Sequence, residues 1–158
     1  MGEFEAAAVS GQTYSQLGPL GRGNGDWGKG EVDKKAKFDV DDLAVALIKL
    51  KSGRTVLLEA SWAAHLPEND FFTSQVFGTD AGIMLNPLRL IRPSRIGYVT
   101  EEVTPSTPLV NENRMVHFID VLLGKVEPYV KPAESLAVQK ILDAIYASSA
   151  SGREVRIK

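Results

Sequence analysis

Apolar positions are densest over residues 38–63, FDVDDLAVALIKLKSGRTVLLEASWA, and predict a β-hairpin turning at Lys51-Ser52-Gly53-Arg54. Leu43–Leu50 is apolar at nearly every position, the pattern of a strand covered on both faces. On the return strand Val56, Leu58, Ala60 and Trp62 share one face, and Thr55, Leu57, Glu59 and Ser61 share the other. Upstream, Ala6–Tyr14 reads as a first strand. Downstream, 71–77 is a third long strand ended by Gly78-Thr79-Asp80-Ala81-Gly82. Short strands over 83–85 and 88–91 flank Asn86-Pro87, and another covers 95–103 with Pro93, Pro105 and Pro108 punctuating its ends.

The period then changes from two to 3.6. Met115, Phe118, Ile119, Leu122 and Leu123 form one helical stripe that ends at Gly124. Val138, Ile141, Leu142, Ile145 and Tyr146 form a second, opened by Pro132 and closed at Gly152, before a terminal strand over 154–157. Strands first and helices last predict an α+β domain: an open, mixed, mostly antiparallel sheet with both helices docked on one face. The other face is left for a partner, and two-fold sheet-on-sheet packing covers one apolar patch with its own copy.

Composition narrows the function classes. A chain of 158 residues fits one domain over 1–158, and a net charge of −2 gives no electrostatic pull toward nucleic acid or an anionic membrane. There is no cysteine, which excludes disulfides, thiolate metal sites and cysteine nucleophiles and suits a cytoplasmic location. Residues 15–37 are rich in glycine and then in charge, and read as a long flexible loop.

Within that loop Gly23-Asn24-Gly25-Asp26-Trp27-Gly28 spells G-x-G-x-x-G. A dinucleotide site needs those glycines after a strand and at the opening of a helix, and here Gly18-Pro19 precedes and a charged stretch follows; the motif is a decoy. His65, with Glu68 and Asp70 close in sequence, offers groups for acid–base or metal chemistry, but one imidazole and two carboxylates in a loop is a thin set. His117 lies off the apolar stripe and reads as exposed. Asp39, Asp41 and Asp42 read as groups that keep the strand entrance soluble rather than as a cation site. Glu59, inside an apolar strand, needs a polar interface, a base such as Arg54, or a pocket rim. Ser10, Ser61 and Ser74 lack a G-x-S-x-G elbow. On its own residues the chain shows no complete active site and no metal site.

VSGQTY, a Gly-rich loop, the hairpin 38–63, VFGTDAG and the closing VQKILDAIYASSASGREVRI follow one another in an order that resembles the C-terminal domain of Gfo/Idh/MocA oxidoreductases. Val40-Asp41-Asp42-Leu43-Ala44, Glu59-Ala60-Ser61-Trp62 and residues 144–155 are its most specific pieces. The resemblance implies the glyceraldehyde-3-phosphate-dehydrogenase-like C-terminal fold. It also implies a parent with an N-terminal Rossmann domain carrying NAD or NADP and acting on CH–OH groups of sugars or polyols. In that scheme the C-terminal sheet walls the substrate pocket and builds a homodimer or homotetramer.

The chain lacks the Glu-Lys-Pro and Asp-x-x-x-His segments of the family. As a fragment it is therefore expected to bind no cofactor, to hold no catalytic residue and to be inactive alone. Carried over residue by residue, the resemblance places Asn69 and Asp70 against substrate, with His65 and Glu68 close by, and Trp27 in the long loop covering the pocket or reaching across the dimer. The reading from another class is a stand-alone, non-enzymatic dimerisation or small-ligand-binding domain.

Overall fold

The computed structural model describes residues 4–21, 37–66, 72–104 and 113–158. The chain divides into two compact units, Met1–Asn69 with Tyr129–Lys158, and Asp70–Pro128. The α+β class read from the sequence holds, with the strands distributed over two four-stranded sheets.

In the first unit β1 (Ala6–Tyr14), β2 (Leu43–Leu50) and β3 (Thr55–Ser61) are followed by a C-terminal strand over Val155–Arg156, all paired antiparallel. The hairpin turns at Gly53, with φ +84°. One helix, over Pro132–Ser151, packs along β1. The buried cluster is Ala6, Val9, Ala46, Ile48, Ala144 and Ile145, with Leu50, Leu58, Ile141, Val155 and Ile157 packed against it.

The helix buries Ile141, Ala144, Ile145 and Ser148 more deeply than the expected stripe, since Val138, Leu142 and Tyr146 stay half exposed. The small residues of β1 account for the rotation. A Cβ on Gly11 would stand 3.0 Å from Cγ2 of Ile145, so glycine there lets helix and strand approach closely. The terminal strand pairs only with Ala8 and Val9. Beyond it, helix hydroxyls take over the β1 edge: Gly11 N–H donates to Ser148 Oγ (2.9 Å) and Thr13 N–H to Ser149 Oγ (3.1 Å).

The opposite face of this sheet is less apolar than the sequence pattern suggests. Leu47 and Leu57 are exposed on it, and the register sets them among Ser10, Gln12 and Glu59. Glu59 is exposed.

The second unit holds strands β4 (Ser74–Phe77), β5 (Gly82–Leu85), β6 (Arg89–Ser94) and β7 (Gly97–Glu102), in that order and antiparallel throughout. Pro93 does not end a strand: it lies in β6 opposite Tyr98, beyond the last β5 pairing at Ile91, where no neighbour asks for its missing N–H. Ion pairs Arg89–Glu102 (3.0 Å) and Arg92–Glu101 cross between β6 and β7.

The helix α1 (Arg114–Leu122) is capped by Asn113, whose side chain accepts from the N–H groups of Met115 (3.0 Å) and Val116 (3.3 Å). It buries none of its residues, and its stripe of Met115, Phe118, Ile119 and Leu122, continued by Leu123, is exposed. The expectation that both stripes bury their side chains is met in part by the Pro132–Ser151 helix, hereafter α2, which buries Ile145 and half-buries Ile141, and not by α1. His117, expected to be exposed, is half-buried.

Candidate functional site: an aromatic shelf at the loop end of the first sheet

Antiparallel pairing brings the end of β1, the start of β2 and the end of β3 to one edge of the first unit. Asp42, which the sequence reading took as a solubilising residue, is 2% exposed there. Its Oδ2 accepts the N–H groups of Leu17 (2.6 Å) and Gly18 (3.0 Å), and its own N–H donates to the Tyr14 carbonyl (2.7 Å). A buried carboxylate is tolerable because backbone donors satisfy it. It ties residues 17–18, which open a 3-10 turn over Gly18–Leu20, to the strand that follows. So the first part of the predicted flexible loop is pinned, and residues 22–36 lie outside the described residues.

From that anchor one side chain fixes the next. A Cβ on Gly18 would fall 1.9 Å from the Phe38 ring, so the ring lies directly on the glycine backbone. Phe38 in turn leans on Trp62, with centroids 6.1 Å apart and planes tilted by 36°. Trp62 Nε1 donates to the Asp41 carbonyl (2.9 Å), and the Asp41 carboxylate accepts the Tyr146 hydroxyl from α2. That hydrogen bond holds the Tyr146 phenol above its ordinary pKa, with smaller contributions from burial and the Asp41 charge. Ser61 Oγ donates to the Asp42 carbonyl (2.6 Å) and accepts from Ala63 and Ala64 N–H, which fixes the chain leaving β3. Trp62 remains 46% exposed and Phe38 36% exposed.

Of the residues singled out from the sequence, His65 is exposed three positions beyond Trp62. Trp27, Glu68, Asn69 and Asp70 lie outside the described residues. The sequence reading missed the shelf made by Gly18, Phe38, Asp41, Asp42, Trp62 and Tyr146. One signal was available: Asp42 is in phase with Ala46 and Ile48, the covered face of β2.

Among the described residues every strand pair is antiparallel, and no glycine turn joins a parallel βαβ unit of the kind that cradles a pyrophosphate. These residues do not fit a dinucleotide. No group of three or more His, Cys, Asp or Glu side chains among them is placed to hold a metal. No helix among them is long and apolar enough to cross a membrane. In the second unit a cavity of about 550 Å³ lies against the sheet between Gln75, Phe77, Asp80, Ile91 and Tyr98.

The architecture has close counterparts among solved structures. An NAD-binding protein from Listeria innocua aligns with 99% of the chain at 21% identity and a TM-score of 0.66. The aldose-aldose oxidoreductase from Caulobacter crescentus, solved with glycerol, aligns with 99% at 17% identity and 0.67. A levoglucosan dehydrogenase solved with NADH and levoglucosan aligns with 97% at 20% identity and 0.69. The chain covers 42%, 42% and 45% of these proteins respectively, less than half of each. No curated protein sequence matches it. The sequence does match the family model of the Gfo/Idh/MocA oxidoreductases, C-terminal alpha/beta domain, over residues 4–157. With that match running through both units, the chain belongs to the Gfo/Idh/MocA oxidoreductase family and carries its C-terminal alpha/beta domain.

Proposed function

We propose that residues 1–158 act as the substrate-binding and oligomerisation domain of an NAD(P)-dependent dehydrogenase of sugars or polyols. The observation that carries this reading is the family match over residues 4–157. The levoglucosan and aldose-aldose enzymes among the structural counterparts support the substrate class, and the NADH in one of them supports the cofactor. In the two-domain parent the nicotinamide supplies the hydride chemistry at a carbinol or carbonyl carbon. This chain's part is to bind and orient the substrate.

His65, Glu68, Asn69 and Asp70 hydrogen-bond substrate hydroxyls, with Trp27 covering them. Donors and acceptors of these types suit such a polyhydroxylated ligand. The exposed apolar side chains of the sheets supply the surface for a homodimer or homotetramer, in keeping with a cytoplasmic enzyme.

Calorimetric titration of the chain with a panel of sugars and polyols, and with NADH and NADPH, tests the assignment. Saturable binding of a sugar or polyol, with no cofactor binding up to millimolar concentration, is the expected result. Micromolar NADH binding would contradict placing the cofactor on another domain, and a panel with no binder would contradict the substrate role.

A further inference from the structure

We infer that the Phe38–Trp62 shelf is a stacking face for the ring of a cyclic sugar, so that the substrate site selects closed pyranose rings over open-chain polyols. This deepens the substrate reading above and rests on it. Trp62 has one polar atom, and it is spent inward on the Asp41 carbonyl. What the indole presents outward is therefore apolar ring surface. It is held on two sides, by Phe38 lying on Gly18 and by Asp41, just before β2, whose carboxylate accepts the Tyr146 hydroxyl of α2.

An aromatic face fixed in this way loses little conformational freedom when a ligand settles on it. A pyranose offers a flat patch of C–H groups on one face and hydroxyls around its rim. The first suits an indole, and the second suits an exposed imidazole such as His65, three residues further along the chain. An open-chain polyol has no such flat face. Two half-exposed rings are also far too little surface to seat a second protein, which needs about 800 Å² per partner.

The test is NMR on the intact chain. Its two tryptophans give two indole N–H signals, and loss of one in Trp62→Phe assigns Trp62. Methyl β-D-glucopyranoside and sorbitol are titrated to about 100 mM, a range that captures weak millimolar affinities. The expected result is a saturable shift of the Trp62 and His65 signals with the glucoside, at least about tenfold tighter than with sorbitol. Tyr146→Phe, which releases the Asp41 clamp and leaves the Phe38 and Trp62 rings unchanged, is expected to weaken the glucoside about threefold while the melting curve stays cooperative. Saturable shifts at His65 with Trp62 silent would overturn stacking and leave the substrate reading intact. Equal responses to both ligands would overturn the ring preference. Silence at both signals would overturn the shelf and count against the substrate role together.

Discussion

The two units carry comparable apolar patterns and treat them differently. In the first, α2 lies along β1, and Val9, Ile145 and Ala63 fall to 2% exposure or below. In the second, none of the described residues is buried, and Phe77, Tyr98, Leu122 and Leu123 are each more than 60% exposed. A strand or helix with the right period therefore forms in both places, but among the described residues only the first unit supplies an element of matching shape to cover it. Small residues make the difference. Ala6, Gly11, Ala144 and Ser148 let a helix settle closely on a strand, whereas α1 offers large side chains that stay exposed among the described residues.

Paired truncations break this comparison most sharply. Ile145→Ala removes a fully packed side chain and is expected to cost about 2–5 kcal/mol, whereas Leu122→Ala should cost under about 0.5 kcal/mol, both read by urea denaturation. Equal losses would remove the distinction. Asp42→Ala comes next. It strands the Leu17 and Gly18 N–H groups and is expected to cost about 1–3 kcal/mol, with Asp42→Asn recovering part of the loss because an amide oxygen still accepts. Gly18→Ala drives a methyl into the Phe38 ring; a cost of about 1–3 kcal/mol, with altered near-ultraviolet dichroism from Trp62, is expected.

Smaller effects sharpen the contrast. Arg92→Ala removes an exposed cross-strand ion pair of the second unit and should lower the unfolding free energy read by urea denaturation by no more than about 1 kcal/mol, less at high salt. The Tyr146–Asp41 bond has a sign that can be worked out. Folding raises the phenol's pKa, so the stabilisation is present in full below the ordinary phenol range and fades as pH climbs through the raised value. The stability gap between the natural chain and Tyr146→Phe should hold through neutral pH and close in strong alkali. A gap that closes in neutral solution instead would assign the stabilisation to another group.

Much of the first unit was legible in the sequence. The β1 limits, the 43–50 and 55–61 strands, the Pro132 opening and the Gly152 close all follow from period and punctuation, because those signals are local. The exact buried face of α2 was not, since it depends on Gly11 and the alanines of a strand more than a hundred residues away. Asp42 shows how a local rule misleads. A charge at a strand entrance usually faces water, yet this one answers two backbone donors whose positions no period reveals. The shelf escaped for the same reason: Phe38, Trp62 and Tyr146 are far apart along the chain, and it is the fold that stacks Phe38 on Trp62 and links Trp62 to Tyr146 through Asp41. Trp62 was read as one position of an alternating strand and as part of the family-like Glu59-Ala60-Ser61-Trp62 piece, and neither reading shows the ring that Phe38 leans on.

Native-state hydrogen exchange at two protein concentrations tests the central contrast most directly. The account predicts that the amides of β1 and α2 exchange only through global unfolding, at a rate independent of concentration. Those of β4–β7 should exchange orders of magnitude faster in dilute solution and slow as the chain self-associates. Equal, concentration-independent protection across both sheets would contradict it.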